Sequence, residues 1–431
     1  MKLRNLLTLL MLLLGVDGLM AQLPSSPFDS TQTSPSIDTY QVGKGFGVFK
    51  NDKATLRISV FATSRYLNQL GIDESYVNNI GDTLTLQRRQ DIQFQKTTIY
   101  FKGWMLDPKF RYLVYVWTSN TSQGLGAQVV VAGNVQYQIN KFLDVGVGIA
   151  GNPTTRSLLG QWPFWLRQDA RPMAEEFFRG SFTTGVWLQG ELAKGLYYKG
   201  MVGNNLSQLG IDAGQLDNFL NTYSLALWYC TGDYPRNAPF GDYQNTQKFS
   251  TRWGVHATTS TEDPQSQPGS DDPENSQIRL SDGRGVFNLG TFGQGVLVTK
   301  AQYNMFAGNV GFIYKGFSLD VEGYYRRVTD IKVNQGDPID DLEDSGFSAR
   351  ASGMIIDELL QIYGFGSYIN GEQGDPFEVG LGLNVYPFKT RNLRFNPEYF
   401  YVENSPVGYQ SYPSVVGANG GIFMMNMEIF F

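Results

Sequence analysis

Histidine and cysteine are nearly missing from this chain, with one of each in 431 residues. The lone Cys230 excludes an internal disulfide framework. With only His256 beside it, too few nitrogen and sulfur donors exist for the usual zinc site. Nucleophilic catalysis sets a base beside a serine or cysteine, and no Gly-x-Ser-x-Gly elbow accompanies the single histidine. The expectation is no catalytic residue, no metal and no cofactor; His256 and Cys230 read as structural residues on strands. Asp263, Asp271, Asp272 and Glu274 are hard oxygen donors, but their spacing matches no defined calcium loop.

Charge is scarce too. Charged residues are 17% of the chain, against about 25% in an ordinary soluble domain, so much of the surface should face something other than water. The net charge of −6 argues against a nucleic-acid partner, which would call for a basic excess. Long apolar runs are missing beyond residue 16. Lys2 and Arg4, the apolar stretch Leu6 to Val16 and the small Ala21 read as a secretory signal over residues 1–21. Nothing later reaches the roughly 20 apolar residues of a spanning helix. Losing two bases and Asp17 with the signal takes the charge from −6 to about −7. Residues 22–53, rich in Ser, Thr, Pro and Gly, read as a flexible periplasmic lead.

Aromatics (14%) and glycine (49 residues) are plentiful, as in strands that bend around a barrel and anchor at membrane interfaces. The end of the chain is the clearest segment. Phe423, Met425, Met427, Ile429 and Phe431 alternate with Asn426 and Glu428, giving one apolar and one polar face. A soluble sheet rarely ends on an unshielded aromatic strand, whereas closing a barrel pairs the last strand with the first. Such an ending also resembles the carboxyl-terminal signature that the outer-membrane barrel-assembly machinery reads, which makes that machinery an expected partner.

Period-2 segments between turn signals number sixteen, from 54–66 to 420–431. The prediction is an all-β fold: a closed antiparallel transmembrane β-barrel of about 16 strands over residues 54–431, with both termini on the periplasmic side and lipid outside. Tight joints at Asp107-Pro108, Asn140-Lys141, Lys194, Lys315, Asp357-Glu358 and Lys389 alternate with the long segments 67–91, 151–180, 260–298, 330–344 and 405–419. The connection 232–245 breaks the rule, being long where a turn is expected. In 376–387, Phe377, Val379, Leu381 and Leu383 alternate with Glu378 and Asn384. Polar side chains in mid-strand stay hydrated only around a wet lumen, and sixteen strands are too many to fill with side chains.

By strand parity the lumen holds Arg57, Arg65, Lys96, Lys102, Lys199, Lys248, Arg252, Arg326, Arg350 and Arg394. The acids on the same face are Glu191, Asp320, Glu322, Glu378, Glu398 and Glu428. A basic excess in a narrow pore favours anions; the other reading is that mixed charge merely hydrates the wall. The segment 151–180 carries Trp162, Phe164, Trp165, Phe177 and Phe178 beside Arg156, Arg167, Arg171 and Arg179. So many aromatics need a surface to pack on, and folding inward would put those arginines at a constriction. Packing over a rim or a subunit interface is the alternative.

Short motifs give a resemblance. Arg88-Arg89, Tyr100-Phe101-Lys102-Gly103, Asp107-Pro108 and Phe110-Arg111-Tyr112 resemble the phosphate-selective porin O and P family. So do Val135-Gln136-Tyr137, Val145-Gly146-Val147-Gly148, and Gly185-Val186 with Gly190. The resemblance implies a sixteen-stranded homotrimeric channel in which lumen arginines, here Arg57, Arg65 and those of 151–180, conduct anions past an inward-folded loop. It also implies extracellular lysine clusters, which this sequence lacks, and 260–298 is acidic instead. The expected function is therefore passive diffusion of small hydrophilic solutes with a preference for anions, and the resemblance implies phosphate among them. A structural or adhesive barrel with a plugged lumen is the rival.

Overall fold

The computed structural model describes residues 45–78, 80–119, 128–159, 165–207, 220–237, 240–266, 273, 275, 277–408 and 412–431. The signal segment and most of the lead lie outside them, as do Trp162, Phe164, Asp271, Asp272 and Glu274.

A barrel of 16 antiparallel strands closes on itself. Its strands are β2 (Ala54–Ile72), β5 (Gln90–Met105), β6 (Asp107–Ser119), β7 (Gln128–Asn140), β8 (Leu143–Gly151), β9 (Phe182–Ala193), β10 (Leu196–Gly203) and β11 (Thr222–Cys230). The second half comprises β12 (Ser250–Glu262), β13 (Val298–Tyr314), β14 (Phe317–Val333), β15 (Leu342–Ile356), β16 (Leu360–Asn370), β17 (Phe377–Val385), β18 (Leu393–Glu403) and β19 (Gly420–Phe430). Each of the sixteen alternating segments of the sequence is one of these strands. Closure is made by β19 on β2, where Met425 lies opposite Tyr66 and Phe430 opposite Phe61. The last residue takes part: Phe431 and Val60 exchange both backbone hydrogen bonds, at 2.6 and 3.0 Å.

Three short strands were not visible in the sequence. β1 (Phe46–Lys50) falls within the stretch read as lead, yet it pairs with β2 from Ile58 to Thr55. That part of the β2 edge lies beyond the reach of β19, and β1 covers it, with Phe46 packed edge-on against Phe431 at 6.1 Å. The hairpin of β3 (Ser75–Val77) and β4 (Thr83–Thr85) decorates the connection after β2.

The barrel is apolar outside, and its inward positions mix charged, amide and hydroxyl side chains with buried apolar ones such as Met305, Phe365 and Met424. On β17, Val379 and Leu381 are 55% and 67% exposed, while Glu378 and Asn384 are buried. Outward aromatics ring both ends, with Phe249, Phe312, Tyr314 and Trp253 clustered at the turn end and the pairs Tyr66–Phe423 and Phe377–Tyr401 at the loop end. Such an exterior suits a bilayer with interfacial belts. Tight turns carry the conformations they need: Lys315 and Gly316 sit at φ +48° and +78° between β13 and β14, the pairing that a two-residue hairpin favours.

One parity change and one boundary have local reasons. β5 holds a bulge between its pairings with Thr63 and Ser64, so even-numbered Ile92 and Phe94 point outward while even-numbered Lys96 and Thr98 point inward. β12 starts at Ser250 rather than 246 because the Asp242 carboxylate accepts the Thr246 amide, at 2.9 Å, and holds it in a turn. Lys248, assigned to the lumen by parity, is therefore an exposed residue of that connection. The connection from 231 to 249 is long, as the sequence suggested, although it joins strands at the turn end.

Candidate functional site

The chain between β8 and β9 turns inward and is buried along nearly its whole described length. Its described residues include a 3-10 turn, Arg156–Leu159, and a short helix α1, Met173–Phe178. Apolar packing fixes α1 to the wall formed by β14 to β18. Phe178 stacks on Tyr324 with ring centroids 5.4 Å apart, and Phe177 meets Phe178 edge-on at 5.0 Å. Phe177, Phe178, Met173 and Leu166 share a buried cluster with Tyr363, Phe365 and Phe400 of the wall.

Charge pairing does the rest. The Arg167 guanidinium donates to Glu398 at 2.7 and 3.1 Å and to Glu378 at 3.3 Å, and it stacks over Phe365 at 3.7 Å. Arg156 pairs with Asp320 and donates to the Tyr234 hydroxyl at 2.7 Å, while its backbone amide donates to Glu322 at 3.0 Å. In the reverse sense, wall residue Arg350 donates to Glu175 of α1 at 2.5 Å. Burial pushes the Glu175 carboxyl up, but Arg350 and Arg171 outweigh it and hold the group below its ordinary value. The barrel interior thus grips the segment through ion pairs of both polarities, which is how buried charge is tolerated.

The inward parity of the sequence coincides with burial for Arg65, Arg252, Arg326, Arg350 and Arg394. Their partners could not be read from it. Arg326 pairs with Asp344 at 2.6 Å and donates to the carbonyl of Arg279 at 2.8 Å. Arg394 pairs with Glu428 at 2.5 Å and donates to the carbonyl of Trp165 at 2.7 Å. Arg65 donates to Asn426 and to the carbonyl of Gln168, and Arg252 to the carbonyl of Arg236. Arg57 and Lys102 lie directly opposite each other on β2 and β5 near the turn end, both half-buried, and Arg57 reaches the carbonyl of Gly45 at 3.0 Å. Arg179 is held by Glu176 at 2.6 Å. Arg171 lies over Trp165 at 4.3 Å, and burial lowers its pKa to about 10.

Described residues of the connection 231–249, Tyr234 and Phe240 among them, also turn inward, a feature that the sequence reading missed. Phe240 is sandwiched by the guanidinium groups of Arg156 and Arg350, at 4.3 and 3.8 Å, and Tyr234 is buried beside them. Its aromatic content in a place reserved for a turn was the available signal. At the loop end, Ile278, Phe287, Tyr412 and Val415 join the same buried cluster, and the Tyr412 hydroxyl donates to Glu378 at 2.9 Å.

His256 has both ring nitrogens occupied, by the Pro153 carbonyl at 2.8 Å and Asn309 at 2.9 Å, so it anchors the start of the inward segment. Among the described residues no group of three or more His, Cys, Asp or Glu is placed to hold a metal ion.

Because the inward segment leans on β14 to β18, the opposite half of the interior stays open. A cavity of about 490 Å³ lies between that segment and the wall of β5 to β10. Six bases face it: Lys96, Arg171, Arg179, Lys199, Arg236 and Arg279. The acids are two, Asp169 and Glu176. Lys96 pairs with Asp169 at 2.7 Å, whereas the Lys199 ammonium donates to the Gly151 carbonyl at 2.8 Å and has no carboxylate partner among the described residues. Arg236 and Arg279, which lie on connections, were not singled out from the sequence.

No family model matches the sequence, and no curated protein matches it. Solved structures do. An anion-selective porin from Comamonas acidovorans is 10% identical with a TM-score of 0.55, covering 88% of this chain and 100% of its own. The outer membrane channel DcaP of Acinetobacter baumannii is 8% identical at a TM-score of 0.52, covering 89% and 99%. OmpT of Vibrio cholerae, an outer membrane protein in trimer form, is 12% identical at 0.52, covering 88% and 100%. At such identities the likeness is one of fold, and the fold is that of bacterial outer-membrane β-barrels.

Proposed function

We propose that the chain is an outer-membrane porin through which small hydrophilic solutes diffuse passively, anions in preference to cations. The observation that carries this reading is the open cavity between the inward segment and the β5–β10 wall, faced by six bases and two acids. Fixed charge in a narrow pore of low dielectric is weakly screened, so this local excess outweighs the overall charge of −6 for an ion in transit. The anion-selective porin of similar fold supports the preference, and the trimer form of OmpT supports assembly as a homotrimer. Phosphate as a permeant rests on the family resemblance of the sequence.

The test is a planar bilayer holding the purified protein under a potassium chloride gradient. The expected reversal potential is that of an anion-preferring pore, with the preference growing as salt is lowered. A cation-selective pore overturns the anion reading, and a folded protein that conducts nothing favours the plugged structural barrel.

A further inference from the structure

We propose that the cavity between the inward segment and the β5–β10 wall is a binding site for organic anions with a flat apolar body, aromatic carboxylates above all, rather than for inorganic anions. The inference rests on the channel reading and names its solute class.

The lining pairs cations with aromatic faces repeatedly. Lys96 lies 5.4 Å from the Trp117 ring, Lys199 5.7 Å from Trp187, Arg171 4.3 Å from Trp165 and Arg236 5.8 Å from Trp228. Tyr100 and Tyr115 add a further pair on the wall, 6.0 Å apart, and Leu113, Val130, Ile149 and Leu158 extend the apolar surface between the charges. A hydrated chloride or phosphate gains nothing from such surface, which stays unfavourably wet until an apolar body covers it. An aromatic carboxylate satisfies both halves, its carboxylate accepting charge-assisted hydrogen bonds and its ring stacking on the wall.

Lys199 is the best-placed carboxylate partner. Its ammonium carries three donors, and among the described residues one is engaged, by the Gly151 carbonyl. Arg236 has its Nε buried without a hydrogen-bond partner. Volume agrees: benzene fits an engineered cavity of about 150 Å³, so a site of about 490 Å³ admits a single-ring carboxylate with some of its water.

The experiment is calorimetric titration of the full chain in detergent with sodium benzoate, and separately with sodium phosphate. Benzoate is expected to bind saturably and at least about tenfold more tightly than phosphate. Lys199→Met and Arg236→Gln are each expected to weaken benzoate about tenfold, both variants having first been checked for a folded, heat-modifiable barrel. Phosphate binding as tightly as benzoate, or benzoate binding untouched by both substitutions, overturns the inference. Conductance in potassium chloride alone separates the two failures. A conducting protein that ignores benzoate loses this inference but keeps the channel reading, and a folded but non-conducting protein loses both.

Discussion

At the scale of single residues, the interior is organised by pairs that no local pattern announces. Arg167 meets Glu398 and Glu378 across 231 and 211 positions of sequence. Parity could place the acids and Arg350 inside, and composition could mark the segment as arginine-rich, but neither says which charge meets which. Replacing Arg167 by Met leaves two carboxylates buried without their cation, a penalty of about 3–5 kcal/mol for a buried pair broken on one side. That loss should appear as release of the inward segment, because the strand ladders are untouched. Hydrogen exchange of the amides from 165 to 181 should accelerate, and Glu398→Gln should partly restore protection.

Glu175 gives the same interior a pH dependence. Its native carboxyl lies below its unfolded value of about 4.3, since Arg350 and Arg171 together outweigh burial. A depressed native value contributes stability that is complete above the unfolded pKa and is lost as pH falls through the native one. Acidification through that range should therefore loosen α1, with fluctuating and larger single-channel steps. Glu175→Gln should weaken the acid response.

At the scale of elements, sixteen segments of period 2 sufficed to find the sixteen described barrel strands, because the lipid-facing side calls for an apolar residue at every second position. What stayed hidden either lacks length or lacks period. β3 and β4 have three residues each, and β1 has five among glycines. The inward segment was legible as an anomaly of length and aromatic content, and 231–249 carried the same anomaly in milder form. Which wall each leans on was not legible, since that depends on contacts between residues more than a hundred positions apart. Excising residues 156 to 179 from a barrel that still folds should enlarge single-channel conductance. An unchanged conductance would place the narrowest point elsewhere, the stretch around Phe240 being next.

At the scale of the whole molecule, an interior gripped along β14 to β18 and open along β5 to β10 is asymmetric. That asymmetry divides the polar wall residues into two kinds: Asn134 and Gln136 face the cavity, whereas Asn384 is fully buried and donates to the carbonyl of Leu166 at 3.0 Å. Net charge and composition described the average of both halves, and neither half resembles that average.

The most direct test of this arrangement is modification of single introduced cysteines by a negatively charged methanethiosulfonate during bilayer recording, in a background where Cys230 is serine. Asn134→Cys and Gln136→Cys should react from the aqueous phase, lowering the current and its anion preference, while Asn384→Cys should stay inert. Rapid modification at position 384 with none at 134 and 136 would contradict a permeation path along the β5–β10 wall.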